Sequence, residues 1–147
     1  MHAKEDVLIV DGYNIIKSWD YDQKSYNLEA ARFHLSEILA DYSGYMGMDI
    51  ILVFDAHMAD TTGSQEKNHH LQIIYTKRYE TADTRIEAMM KRKVRKYRHV
   101  YVATADYALQ LFILGENGLR VTPSELKSMV ETATKSQLYK SQGKPLK

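Results

Sequence analysis

The sequence predicts a doubly wound α/β domain, in which helices cover both faces of a mainly parallel β-sheet. Residues 7–10 and 50–54 are apolar at consecutive positions, which is typical of strands that are buried on both faces. The segments between such runs place apolar residues three and four positions apart, which is the spacing of a helix. Strands that alternate with helices need crossover connections, so this pattern favours a parallel sheet.

Each predicted element follows from a local pattern. Helix starts are expected at the capping residues Asn27 and Asp106, and a further helix is expected to begin at Asp83. Residues 122–125, with the sequence TPSE, have the form of a capping box and predict a last helix to about residue 139. Residues 58–70 are polar and are expected to form a mobile loop. Strands are predicted at residues 7–10, 50–54, 71–76, 100–103 and 119–121.

The composition limits the class of protein. A chain of 147 residues fits one domain, here residues 1–147 with a flexible tail from about residue 140. The absence of Cys excludes disulfides and thiolate metal sites. The amino terminus lacks the apolar segment of a signal peptide, and no apolar run approaches the roughly 20 residues of a membrane span. We therefore expect a soluble cytoplasmic protein.

Positive charge is concentrated in one segment of a chain whose net charge is only +1. Residues 91–98 contain six cations, which fall on the outer face and the exit of the second predicted helix. A local basic surface of this kind predicts contact with RNA phosphates, whereas a solvated helix face explains the same charges equally well. The candidate RNA-binding residues are Lys91, Arg92, Arg95 and Arg98.

Carboxylates follow three of the predicted strands. Asp11, Asp55 and Asp106 each lie at or just after the carboxyl end of a strand, and Asp83 opens a helix. Because the ends of parallel strands meet at one edge of a sheet, these side chains are expected to converge. A single such Asp is ordinarily a turn former or a helix cap, but several together repel one another unless a cation binds. With only oxygen ligands available, Mg²⁺ or Mn²⁺ is the expected cofactor.

Four motifs give the chain a resemblance to a known family. These are residues 10–16 (VDGYNII), 53–57 (VFDAH), 80–83 (ETAD) and 103–107 (ATADY). Together and in this order they resemble the YacP-type NYN domains, which belong to the PIN-like nucleases. The resemblance extends from about residue 7 to residue 130.

The resemblance implies a PIN-like three-layer α/β/α domain whose first strand lies near the middle of the sheet. It also implies endonucleolytic RNA cleavage, with Asp11 and Asp83 as the principal catalytic acids and Asp106 completing the metal site. Asp55 matches a motif position but is given a lesser role. Since the family includes a bacterial ribosome-associated endoribonuclease, mRNA and the ribosome are the expected partners.

Several residues near these motifs have more than one expected role. Asn14 is expected to orient Asp11, to bind a phosphate oxygen or simply to cap a turn, and Glu80 is either a supporting acid or an exposed one. Gly12 is expected to allow a sharp turn and a close approach of the substrate. The histidines at 57, 69 and 70 match no zinc spacing, so zinc is not expected. The candidates to stack on unpaired bases are Tyr13, Trp19, Tyr21 and Tyr26. Several of these are instead expected to be core or packing residues, and Trp19 is the best exposed candidate.

Other functions fit the pattern less well. A phosphatase of the haloacid-dehalogenase type needs a second Asp two positions after the first, where this chain has Tyr13. A receiver domain needs a Lys at the end of its last strand, and none is present there. A catalytically inactive RNA- or ribosome-binding module of the same fold is the remaining alternative.

Overall fold

A six-stranded sheet forms the centre of the computed structural model, which describes residues 4–19, 27–56, 65–68, 70–141 and 143. Its strands are β1 (Lys4–Asp11), β2 (Asp49–Phe54), β3 (Gln65–Asn68), β4 (Leu71–Tyr75), β5 (Tyr97–Ala103) and β6 (Leu119–Val121). They are ordered β3-β4-β2-β1-β5-β6, and only the β3–β4 pair is antiparallel. The predicted mainly parallel sheet with its first strand near the middle is therefore confirmed.

Five helices cover the two faces of this sheet in the described part of the chain. They are α1 (Gly12–Ser18), α2 (Leu28–Met46), α3 (Ala82–Lys96), α4 (Tyr107–Gly115) and α5 (Pro123–Ser141). Side chains of β1 alternate between two cores: Leu8 and Val10 pack with α1, α2 and α5, whereas Val7 and Ile9 pack with α3 and α4. Both cores exclude water from the central strand. None of the described helices is long and apolar enough to cross a bilayer.

Asn27 and Asp106 cap α2 and α4 as predicted, whereas α3 begins at Ala82 and is capped by Thr81. The Asn27 side chain accepts a hydrogen bond from the amide of Ala30 at 2.7 Å, and Gly47 closes α2 in the left-handed conformation with φ 63°. Thr122 and Glu125 form the reciprocal bonds of a capping box at 2.8 and 3.1 Å. These contacts fix both ends of α2 and the start of α5.

Several elements differ from the predictions. Strands β1 and β5 each begin three residues earlier than predicted, so Tyr97, which was expected on the second helix, is the first residue of β5. Helix α1 was not predicted, because its seven residues are too few for a helical repeat. The loop prediction for residues 58–70 is wrong for residues 65–68, which form the edge strand β3; its polar sequence QEKN gives no apolar signal. Residues 58–64 and 69 lie outside the described residues. Helix α5 continues to Ser141, two residues beyond its predicted end.

The strand order creates a crevice at one edge of the sheet. From β1 the sheet extends through β2 and β4 on one side and through β5 and β6 on the other. The helix that follows β1 packs on one face, and the helix that follows β5 packs on the opposite face. In open α/β sheets, ligands bind at the carboxyl ends of strands at such a switch point. The carboxyl ends of β1 and β5 are therefore the expected ligand-binding position in this fold.

Candidate active site

The predicted acids lie at the carboxyl edge of the sheet. Asp11 is the last residue of β1 and pairs in register with Val53, two residues before Asp55. Asp106 follows β5, the other neighbour of β1, and caps α4. Asp83 is the second residue of α3, which starts at this edge and returns to the beginning of β5. Strand ends and one helix start thus bring four distant acids to one side of the molecule.

Asp11 is buried, with only 6% of its surface exposed. Its Oδ2 accepts a hydrogen bond from the hydroxyl of Thr104 at 3.0 Å. The pKa of Asp11 is raised to about 7, chiefly by burial; the Thr104 bond lowers it, and the charges of Asp83, Asp106 and Asp55 also raise it. A carboxylate in this position is costly unless a cation or a proton offsets its charge.

Asp83 and Asp106 form a carboxyl pair. The charge of Asp106 acts on the Asp83 carboxyl, so the two groups repel each other when both are ionised and no cation is present. Burial raises the pKa of Asp83, and the charges of Asp106, Glu87 and Asp55 raise it further. Asp106 Oδ1 also accepts from the amide of Leu109 at 2.9 Å, which holds it at the start of α4. Asp106 is therefore held in place by a backbone amide, while its charge disfavours ionisation of Asp83.

Glu87 is an acid of the site that the sequence analysis missed. It lies one helical turn after Asp83 on α3, is half-buried, and raises the pKa of Asp83. The spacing of four residues places both carboxylates on the same helix face. That spacing, once α3 was predicted to begin near Asp83, was the signal that could have identified Glu87.

Thr104 is a second missed residue, and it links the acids to one another. It is fully buried, and its hydroxyl donates to Asp11 Oδ2 while accepting from the amide of Asp106 at 3.0 Å. Its own amide donates to the carbonyl of Val121, and its carbonyl accepts from Gln110 Nε2. All polar groups of Thr104 are thus satisfied, so the side chain has one orientation.

The structure gives the secondary candidates different surroundings. Asn14 Oδ1 accepts from the amide of Ala105 at 2.6 Å, so Asn14 ties α1 to the loop that carries Asp106 and does not contact Asp11 in the bonds observed. Glu80 accepts a hydrogen bond from the amide of Lys77, which closes a turn, and it forms an ion pair with Arg85. Asp55 is half-buried, and its charge raises the pKa of Asp11 and of Asp83.

Gly12 is needed for packing, which differs from the expected role in substrate approach. A Cβ at this position would lie 2.4 Å from the Phe54 ring and 3.0 Å from the carbonyl oxygen of Val53. Since no real Cβ approaches a ring so closely, only glycine lets α1 leave β1 beside Phe54. The ring of Phe54 also contacts Tyr13, with 5.0 Å between ring centroids.

The two predicted base-stacking residues that the structure describes are engaged in internal contacts. Trp19 is half-buried against the core, and its indole N–H donates to the carbonyl of Pro123 at 2.8 Å. Tyr13 packs on Phe54, and its hydroxyl accepts from Arg32 at 2.9 Å. Trp19, expected to be the best exposed of the four, is therefore half-buried, and Tyr13 is a packing residue, as was expected for several of these candidates. The other two candidates, Tyr21 and Tyr26, lie outside the described residues.

The basic residues lie at the other edge of the sheet. Helix α3 runs from the carboxyl edge to the amino edge, and Arg95 is twelve residues beyond Asp83, or about 18 Å along the helix. Arg98 pairs with Glu5 at 3.1 Å, an exposed contact that stabilises little. Lys91, Arg92 and Arg95 are exposed. These cations are spatially separate from the carboxylates.

The histidines give no support to a metal site of their own. His70 hydrogen-bonds to Asp49 at 2.9 Å, and Asp49 also accepts from the hydroxyl of Tyr97 at 2.6 Å, all at the amino edge. His57 and His69 lie outside the described residues. Over residues 4–19, 27–56, 65–68 and 70–141, no group of three or more potential ligands is spaced to hold a metal by itself.

The carboxylates at the edge nevertheless have the chemistry that a hard divalent cation requires. All their donors are oxygens, their charges act on one another, and burial raises the pKa of both Asp11 and Asp83. A divalent cation would relieve this repulsion without a proton. Mg²⁺ keeps several waters and commonly uses one or two carboxylates with substrate phosphates, so a closed cage of protein ligands is not needed.

Comparison with known proteins identifies the family. A profile of the YacP-like NYN domain matches residues 8–145. The chain belongs to the YacP-like NYN domain family. NYN domains are of nuclease type, which supports a nuclease-like, RNA-related role, and nucleases of this kind usually use divalent metal ions. The resemblance inferred from the four sequence motifs is thus confirmed.

Relatives within the YacP-like NYN family cover most of this chain. The uncharacterized protein YacP of Bacillus subtilis (strain 168) is 40% identical over 129 residues, which is 86% of this chain and 76% of YacP. The crystal structure of Rae1 (YacP) from Bacillus subtilis has a TM-score of 0.77 at 35% identity, over 94% of this chain and 80% of Rae1. A mutant of Rae1 gives a TM-score of 0.74 at 38% identity, over 89% and 78% of the two chains.

The buried Asp11 carboxyl predicts a pH-dependent stability. Its pKa is about 7 in the folded protein and about 4 in an unfolded chain, so the folded state holds more protons between these values. The free energy of unfolding of the metal-free protein should therefore fall as pH rises from about 4 to 7. Asp11→Asn cannot ionise and should be more stable than wild type by up to roughly 4 kcal/mol at pH 8, but not at pH 4.

Urea unfolding in EDTA at several pH values measures this difference. Asp41→Asn is the control, because Asp41 is exposed on α2 and its replacement should give a small and constant difference. A stability difference between Asp11→Asn and wild type that is the same at pH 5 and pH 8 would contradict the prediction.

Proposed function

We propose that this protein is a metal-dependent endoribonuclease that hydrolyses RNA phosphodiester bonds, with mRNA on the translating ribosome as its substrate. One observation carries the proposal. Three acids from β1, α3 and the end of β5 influence one another electrostatically at the switch point of the sheet, and burial raises the pKa of Asp11 and Asp83. An arrangement that repels its own charges is expected of a site that binds cations.

The residues that would hold Mg²⁺ or Mn²⁺ are Asp11, Asp83 and Asp106. When bound, the cation would lower the pKa of a water molecule and offset the charge that develops on the phosphate. Asp11 supplies a carboxylate oxygen whose direction is fixed by Thr104. Asp106 Oδ1 accepts from the amide of Leu109, which limits the rotation of this carboxylate.

Neighbouring side chains keep this arrangement in register. Asn14 holds the amide of Ala105 and so fixes the loop before Asp106. Its amide nitrogen has no partner among the described residues and can donate to a phosphate oxygen. Glu87 and Asp55 add negative charge nearby, which favours cation binding and disfavours RNA binding when no cation is present. Catalysis should therefore depend strictly on a divalent cation.

The first prediction of this function concerns the two principal acids. Asp11→Asn and Asp83→Asn should each lower RNA cleavage in Mn²⁺ at least about a thousandfold, because several kcal/mol of transition-state stabilisation are lost. Cleavage of several RNAs, free and on translating ribosomes, is measured with and without EDTA. Thermal unfolding shows that the variants remain folded.

The control for these variants is Asp41→Asn, which removes an exposed carboxylate far along α2 and should cleave as wild type does. Cleavage by Asp11→Asn or Asp83→Asn within tenfold of wild type would refute the proposed site. A wild type that binds RNA or ribosomes but cleaves neither in Mn²⁺ or Mg²⁺ would instead favour the inactive binding module.

Thr104 is predicted to position the metal-binding acids. Thr104→Val keeps the shape but removes the hydroxyl, which leaves Asp11 Oδ2 without its donor and the amide of Asp106 without its acceptor. Loss of such a supporting contact typically costs 10- to 100-fold in metal affinity or activity. Thr104→Ser keeps the hydroxyl and should stay within a few-fold of wild type.

Mn²⁺ affinity, measured by electron paramagnetic resonance, distinguishes positioning from simple stability. Thr104→Val should bind Mn²⁺ about 10- to 100-fold more weakly even where circular dichroism shows a native helix content. Equal Mn²⁺ affinity in the Val and Ser variants would show that the hydroxyl does not act on the site.

The exposed cations of α3 are proposed to bind RNA phosphates that lie away from the cleaved bond. Replacing Lys91 and Arg92 by Ala should weaken binding to all sequences and flatten the slope of log affinity against log salt by roughly one unit or a little more. The turnover at saturating RNA should not change. Arg95 and Arg98 belong to the same proposed surface.

A double variant on α5, Lys127→Ala with Lys135→Ala, removes the same charge from another exposed helix and is the control. Salt slopes that are equal in the α3 variant, the α5 variant and wild type would identify residues 91–98 as a solvated helix face. Equal losses of RNA affinity in the α3 and α5 variants would indicate attraction by the overall charge of the protein.

A further inference from the structure

Two tyrosines next to the acids are exposed. Tyr107 follows Asp106 directly as the first residue of α4, so their Cα atoms are about 3.8 Å apart, and its surface is 72% exposed. Tyr79 precedes Asp83 by four residues and is 87% exposed. It lies in a turn in which the amide of Glu80 donates to the carbonyl of Lys77 at 3.0 Å. Both rings are displayed at the edge that carries the carboxylates.

The two tyrosines lie toward opposite ends of the acidic cluster. Along the carboxyl edge the strand ends follow in the order β4, β2, β1, β5, about 4.8 Å apart. The end of β4 leads into the turn that carries Tyr79, and the end of β5 leads to Tyr107. The acids that follow β2, β1 and β5 lie between these positions. A strand of nucleic acid whose phosphate reached the acids would therefore pass both rings.

Neither ring has a packing role in the part of the chain that the structure describes. There Tyr107 forms no hydrogen bond and no ring contact. The contact observed for Tyr79 is with its neighbour Arg78, whose guanidinium lies 5.4 Å from the ring centroid. Arg78 and Lys77 are exposed cations of the same turn. An aromatic face combined with cations is the surface that tracks an unpaired strand.

We propose that Tyr79 and Tyr107 each stack on an unpaired base on either side of the scissile phosphate, and so position the RNA strand at the acids. The inference rests on the proposed ribonuclease function. Every nucleobase has a π-face, so stacking of this kind holds a strand without demanding a particular sequence. The two rings take the role that the sequence analysis gave to Tyr13 and Trp19, which are packed internally.

Helix α4 also presents Leu111 and Leu114 on the surface, four and seven residues after Tyr107. This spacing puts the three side chains on one face of the helix, which is the pattern of a protein-docking stripe. A stripe of that kind needs apolar surface but not an aromatic ring. Substitution of Tyr107 by Leu therefore separates the two roles.

The test measures binding in the Asp11→Asn background, so that no RNA is cut. The probes are short unstructured RNA oligonucleotides, each with a single 2-aminopurine at a different position, in Mg²⁺. Tyr79→Leu and Tyr107→Leu should each weaken binding about tenfold. Each should also abolish the fluorescence quenching of 2-aminopurine at one position, whereas Tyr79→Phe and Tyr107→Phe keep both properties. Tyr139→Leu, at the exposed end of α5, is the matched control and should change neither.

The outcomes separate this inference from the proposed function. Leu variants that bind RNA and quench 2-aminopurine as the background protein does would overturn the stacking role. For Tyr107, that result would favour the alternative role in a protein-docking stripe. A background protein that binds none of the oligonucleotides would overturn it as well. Ring-dependent quenching would support stacking even if wild type, assayed separately in Mn²⁺, cleaved no RNA and the ribonuclease proposal failed.

Discussion

The hydroxyl of Thr104 is the contact on which the arrangement of the acids depends. It joins the end of β1 to the end of β5 by donating to Asp11 and accepting from the amide of Asp106. Because Thr104 is fully buried and its backbone groups are bonded to Val121 and Gln110, it cannot turn toward solvent. Two carboxylates that would repel each other are thereby held close at the switch point of the sheet, where a freely rotating pair would separate.

Holding acids in this way opposes folding, and the surrounding structure has to compensate. Burial raises the pKa of Asp11 to about 7, so near neutral pH the ionised site destabilises the metal-free fold. The compensation comes from β1, whose residues Val7, Leu8, Ile9 and Val10 are fully buried between two cores. A central strand with this much burial tolerates an unfavourable charge at its end. The same strand at the edge of the sheet would lack that support.

The sequence predicted what local patterns determine, and the rest depends on register. Asp11 and Asp106 were located correctly because apolar runs mark strand ends and parallel strands end together. The Thr104 hydroxyl bonds to a residue 93 positions away, and that partner is set by the pairing of β1 with β5. Burial of Trp19 likewise depends on the distant carbonyl of Pro123. Aromatic residues near a motif therefore cannot be divided into packed and exposed ones before the helices are placed.

The separation of charges on α3 has a consequence for any RNA that contacts the whole molecule. Asp83 begins the helix at the acidic edge, and Arg95 lies about 18 Å further along it, near the opposite edge. Cations so distant cannot offset the charge of a phosphate at the acids, since screening reduces such an interaction within about 8 to 10 Å. The charge of a phosphate at the acids must therefore be offset by a bound cation and by groups at the same edge of the sheet, such as Lys77 and Arg78. The basic end of α3 can then contact only a different part of a long strand, which makes the affinity for RNA and the rate of cleavage separable properties of this fold.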